Sequence, residues 1–116
     1  MSIRLTLIDR YTHFLKTIAE TSELWTVIDN NGSFALFEVN NTTVFSVWPD
    51  EASIESNLSL DWQDYIPFKV NLKELEETIL PLIRQNNYLI NVFPIDSRTG
   101  YIVTLNDFVR DINTLL

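Results

Sequence analysis

Cysteine is absent from this 116-residue chain, which removes disulfides, thiol nucleophiles and sulfur-ligated zinc together. A single histidine, His13, excludes multi-histidine metal centres and leaves one side chain able to titrate near neutrality. Only two glycines are present, Gly32 and Gly100, and no G-x-G-x-x-G, Walker or G-x-S-x-G pattern occurs, so no nucleotide cofactor or hydrolase elbow is expected. No window approaches the roughly 18 apolar residues of a membrane span. The opening Met1-Ser2-Ile3-Arg4-Leu5 lacks the basic run and apolar core of an export signal. These absences predict a soluble, cytoplasmic protein without cofactor or metal. Positive charge is scarce as well: eight Lys and Arg stand against sixteen Asp and Glu, a net charge of -8. A field of that sign repels phosphate backbones and anionic membrane surfaces, so neither nucleic acid nor membrane is an expected partner.

What is present is a core. Hydrophobic residues make up 46% of the chain, with seven Phe, four Tyr and three Trp, enough for one domain over residues 1–116 and too short a chain for two. Leu7, Tyr11, Phe14 and Ile18 recur at helical spacing and predict a helix over about 4–21, with Asp9, His13, Lys16 and Glu20 on its solvated face. Three runs rich in β-branched and aromatic residues come next, 24–28, 34–39 and 42–48, separated by Asp29-Asn30-Asn31-Gly32 and Asn40-Asn41. They predict a three-stranded antiparallel meander. The middle run is apolar on both faces, which places it centrally under cover from each side.

Pro49-Asp50-Glu51 reads as the first turn of a short helix, with Ile54 and Leu58 inward. An irregular segment then leads to an extended piece at 66–70. Asn71 and Glu74 cap a further helix with Leu72, Leu75, Ile79 and Leu82 as its stripe, and Pro81 must kink or divide it near Leu80. Leu89–Phe93 and Tyr101–Thr104 form a hairpin, and Leu105–Leu116 a last helix capped by Thr104 and Asp107. The fold class is α+β: a largely antiparallel sheet, meander plus C-terminal hairpin, with an N-terminal helix, one or two middle helices and a C-terminal helix.

Composition totals conceal a charge asymmetry. Between Lys16 and Lys69 there is no Lys or Arg, while residues 17–68 hold nine acids and all three tryptophans, Trp25, Trp48 and Trp62. The rest of the chain carries eight bases and seven acids, so -9 and +1 recover the total of -8. Acids interleaved with large amphipathic rings suit an interface to a basic protein, where aromatics anchor and charges steer. The contact set so predicted is Trp48, Asp50, Glu51, Glu55, Asp61, Trp62 and Asp64, with Trp62 as anchor. The competing view makes Trp25 and Trp48 core residues, since both fall in predicted strands. No catalytic residue is assigned, because His13 sits on a polar helix face with no nucleophile to pair with. The acids of 50–64 match no metal-binding loop.

Taken in order, Arg10-Tyr11-x-x-Phe14, Glu23-Leu24-Trp25, Val47-Trp48-Pro49-Asp50, Trp62-x-x-Tyr65-x-Pro67, Leu80-Pro81 and Asn91-Val92-Phe93-Pro94 with Gly100 after it resemble the small bacterial family known as domain of unknown function 2750. The resemblance spans nearly the whole chain, makes Pro81 a family trait, and transfers no functional residue. The reading is therefore a non-enzymatic module docking on a basic partner, in the manner of an immunity protein or antitoxin. The alternative is a cryptic enzyme or small-ligand protein using Asp61, Asp64 and Tyr65 in a pocket beside the sheet. A third reading is a homodimer built through an exposed sheet edge.

Overall fold

A computed structural model describes residues 6–58, 64–95 and 99–115. Helix α1 (Leu7–Thr21) begins where Thr6 and Asp9 exchange hydrogen bonds: the Asp9 amide donates to Thr6 Oγ1 at 3.1 Å and the Thr6 amide to Asp9 Oδ2 at 3.3 Å. Ser22 ends it in the left-handed region, its amide donating to the Ile18 carbonyl. Tyr11, Phe14 and Ile18 are buried as the spacing predicts, but Leu7 is 45% exposed. The cap starts the helix later than residue 4, and its first turn overhangs the core.

Strand β1 (Glu23–Ile28), the hairpin β2 (Leu36–Val39) and β3 (Thr42–Val47), and β4 (Ile66–Asn71) come next, with helix α2 (Glu51–Leu58) between β3 and β4. Asn40 and Asn41 both take positive φ, 51° and 65°, as a two-residue hairpin of this hand requires. The expected meander breaks at its first strand. β1 runs antiparallel to β4, Glu23 opposite Asn71 and Ile28 opposite Ile66, and meets the chain on either side of the hairpin through the isolated bridges Trp25 to Trp48 and Ile28 to Phe34. The connection from β1 to the hairpin is tight: Asp29 Oδ1 accepts the amides of Asn31 and Ser33, the Gly32 amide donates to the Asp29 carbonyl at 3.0 Å, and Gly32 sits at φ 80°. The pairing beyond it is limited to the bridge at Ile28 and Phe34 and the Ala35 amide on the Val27 carbonyl.

Strands β5 (Leu89–Val92) and β6 (Tyr101–Val103) complete a four-stranded sheet ordered β2-β3-β5-β6, in which β3 and β5 are parallel and the other pairs antiparallel. The second sheet is the pair β1-β4. β2 is an edge strand, not the central one, and its Leu36 is 41% exposed. The continuous burial lies instead on β3, Val44 to Val47, and on β5, Ile90 to Val92, as expected of a parallel pair covered on both faces.

Between β4 and β5 runs α3, residues 72–86, with Asn71 as its cap: the Glu74 amide donates to Asn71 Oδ1 at 2.8 Å. Its middle is a π-helical turn, Leu75–Ile79, in which the Leu80 amide reaches back to the Leu75 carbonyl. The wide turn comes just before Pro81, which brings no amide of its own, and so the division near Leu80 is a local change of pitch. One extra residue in that turn also rotates the rest of the helix about its axis. Leu75, Ile79 and Ile83 are buried, whereas Leu82, expected in the stripe, is only partly so.

Helix α4 (Leu105–Leu115) is capped by Thr104, whose Oγ1 accepts the Asp107 amide at 3.2 Å. It packs Phe108 against Phe14 of α1, ring centroids 6.0 Å apart. The two terminal helices are also pinned by a polar link: Tyr11 Oη donates to Asp111 Oδ2 at 2.6 Å, with the Tyr11 ring stacked on Tyr101 at 4.6 Å. That hydroxyl holds the Asp111 carboxyl below its usual range, with Arg110 adding to the effect and burial opposing it. Tyr11→Phe should cost about 1 to 2 kcal/mol, the scale of a hydrogen bond to a charged group that is partly solvated. Since the folded Asp111 pKa is depressed, this stabilisation is present above the unfolded value of about 3.9 and is lost as pH falls through the folded one. Urea midpoints of wild type and Tyr11→Phe should therefore differ at pH 7 and converge only as pH falls from about 4 through the depressed folded value of Asp111.

Candidate functional site at the carboxyl ends of the parallel strands

Val47 of β3 lies opposite Val92 of β5, so the two most particular stretches of the sequence, Val47-Trp48-Pro49-Asp50 and Asn91-Val92-Phe93-Pro94, leave the sheet side by side. They are tied to one another. The Phe93 amide donates to the Val47 carbonyl at 2.8 Å, and the Trp48 indole Nε1 donates to the Pro94 carbonyl at 2.9 Å. Trp48 also exchanges both backbone hydrogen bonds with Trp25, at 2.8 and 2.9 Å, which joins the two sheets at this point. Beneath lies a buried polar cluster: Asn91 Nδ2 donates to Ser46 Oγ at 3.2 Å, Asn91 Oδ1 accepts the Gly100 amide at 2.7 Å, and Thr26 Oγ1 donates to the Ser46 carbonyl at 2.8 Å. Each polar side chain there has a partner, so the cluster serves to fix the strand ends.

Phe93 itself is held at φ 57°, a conformation that costs a bulky side chain about 1 kcal/mol or more. Two side chains of α1 reach it from outside the sheet. Arg10 Nη1 donates to the Phe93 carbonyl at 2.8 Å, and the His13 ring, exposed as expected, lies 6.0 Å from the Phe93 ring.

The acidic half of the chain surfaces where Asp50 begins α2. Asp50 Oδ1 accepts from the Ser53 amide at 2.8 Å and the Ser53 hydroxyl at 2.7 Å, so the carboxylate both caps the helix and complements its dipole. Asp50, Glu51 and Glu55 are all exposed, while Ile54 is buried beneath them. Among the described residues the ion pairs are Lys69–Glu23, Arg110–Asp107 and Arg110–Asp111, and none involves these three acids.

Of the predicted contact set, Asp50, Glu51 and Glu55 come together on the first turns of α2, and Asp64 is exposed. Trp48 does not join them. It is fully buried, because its backbone closes the junction of the two sheets and its indole is spent on Pro94. Asp61 and Trp62 lie outside the described residues. For the pocket reading, Asp64 is exposed and Tyr65 is partly buried against the core. Among the described residues no group of three or more metal-ligating side chains assembles, and no helix is long and apolar enough to cross a membrane.

Residues 11–112 match the family model described as "Protein of unknown function (DUF2750)". No curated protein matches the chain.

Proposed function

Because this chain belongs to the DUF2750 family, whose description names no activity, we propose from its surface that it is a non-enzymatic binding module for a basic protein partner. The observation that carries the reading is the row of solvated carboxylates at the start of α2, Asp50, Glu51 and Glu55, within a stretch of 52 residues that holds no positive charge. Such a field acts at a distance. It raises the rate of encounter with a cationic surface before any contact forms. Asp61, Trp62 and Asp64 come next in the sequence, and Trp62 is the proposed anchor, since a large ring with one polar atom is the favoured centre of an interface. An inhibitor of immunity or antitoxin type, held against a basic target in the cytoplasm, fits this description.

The test begins with capture of the tagged protein from its own cell lysate at low and high salt. A stoichiometric basic protein released by salt is the expected result. With that partner in hand, the double charge reversal Asp50→Lys with Glu51→Lys should slow association by about ten-fold or more at low ionic strength and much less at high. Equal rates for wild type and variant at both salt concentrations would sink the proposal. Because the reversal also removes the Asp50 cap of α2, Glu51→Lys with Glu55→Lys, at two exposed positions that leave the cap in place, should slow association in the same salt-dependent way.

A further inference from the structure

Arg10 is a cation without a counterion among the described residues. In a chain with twice as many acids as bases, its guanidinium meets no described carboxylate, and it makes one described hydrogen bond, from Nη1 to the Phe93 carbonyl. The nearest acid on its helix, Asp9, is committed to the Thr6 amide. A guanidinium has five N–H donors in a planar fork. One is used here, one on Nε is sealed from solvent without an acceptor, and the remaining ones on Nη1 and Nη2 meet no acceptor among the described residues. Burial works against the charge, lowering the pKa of this group. A partly buried arginine satisfied by one carbonyl is an incomplete arrangement, and what it lacks is negative charge.

Its surroundings converge on the same place. His13, three positions along α1 and therefore its neighbour on the helix surface, sets its ring 6.0 Å from that of Phe93. Lys16 is exposed a further three positions on. The backbone that Arg10 grips is the strained one: Phe93 at φ 57°, pinned through its amide to Val47 and through its carbonyl to Arg10. The guanidinium is thereby held in one orientation at the end of a parallel strand pair, where α/β sheets commonly bind ligands. We infer that Arg10 and His13, braced by Phe93, form a binding site for a small oxyanion, a carboxylate or a phosphate group. Arg10 supplies the fork and the charge, and His13 a second donor. The inference rests on Arg10, His13 and Phe93 alone and does not depend on a basic partner.

The experiment is an NMR titration of the whole protein with acetate in one arm and methyl phosphate in the other, at constant ionic strength set with chloride. The ¹⁵Nε–H signal of Arg10 and the ring signals of His13 should move together and saturate, and the anion that saturates at lower concentration identifies the chemistry. Arg10→Lys should weaken binding about ten-fold or more, because a point charge replaces a fixed planar fork. His13→Gln, at an exposed position, should weaken it several-fold with the spectrum otherwise unchanged. Shifts that stay linear for both anions up to about 50 mM, well beyond a millimolar Kd, would overturn the assignment. So would saturable shifts that persist unaltered in both variants.

Discussion

Gly100→Ala should destabilise the protein by about 3 kcal/mol or more, at the far end of what one methyl group can do, and lower the thermal midpoint by about 10 °C or more. A Cβ at this position would lie 2.1 Å from the Val92 carbonyl oxygen and 2.8 Å from the Pro94 nitrogen. Both are backbone atoms, so no side chain can swing aside. Nor can the backbone yield cheaply. Val92 is in register with Tyr101 and Val47, the next amide donates to Val47, and the Gly100 amide is itself the donor to buried Asn91 Oδ1. Moving Gly100 away would strand that oxygen. Gly32→Ala makes the control. Nothing lies within 4 Å of its would-be Cβ, and the only penalty is its φ of 80°, about 1 kcal/mol. Differential scanning calorimetry of the two variants should separate them clearly; a Gly100→Ala protein as stable as the Gly32→Ala protein would contradict the close approach.

Trp48→Ala should cost about 3 to 5 kcal/mol, the range for removing a fully buried large aromatic from a core. The side chain fills the seam where β1 meets the four-stranded sheet, and its indole holds the Pro94 carbonyl. Trp48→Phe divides the effect: it retains most of the volume and removes the donor, for about 1 to 3 kcal/mol. Urea midpoints should fall in the order wild type, Trp48→Phe, Trp48→Ala. An Ala variant of near wild-type stability would mean that Trp48 is not core. The outcome also bears on function, since a residue that makes this contribution inside the protein is not available to touch a partner.

The helices were legible because their signals are local. Tyr11, Phe14 and Ile18 repeat within one helix, Asn71 stands three residues before Glu74, Thr104 three before Asp107, and Pro81 announces its own disruption. The strands were legible as strands and illegible as neighbours. Nothing in 23–28 says that its partner is 66–71 and not the next run along, because a ladder is chosen by the whole core. Phe34, Ala35 and Phe37 made the second run look central, yet an edge strand covered by the other sheet at one end is equally apolar there. At the site, Pro49-Asp50-Glu51 foretold an acidic helix start, although Asp50 caps the helix and does not lie in its first turn. Trp48, one residue earlier, adjoins a run in which Val44 to Val47 are all buried, so strand alternation carried no information about its side. Arg10 and Phe93 meet across 83 positions of chain, and only their shared proximity makes either interesting.

The order of strands has a consequence for synthesis. β1 is complete at Ile28 but its partner begins at Ile66, and β3 ends at Val47 while its parallel partner starts at Leu89. At ordinary translation rates, roughly forty residues separate each strand from its mate by about 2 to 8 s. Before Ile66 is made only α1, the β2-β3 hairpin and α2 can close, and before Leu89 the β1-β4 pair and α3 can join them while the β5 side of β3 stays uncovered. The four-stranded sheet therefore closes only once β5, the Gly100 crossing and β6 have been made, late in the sequence.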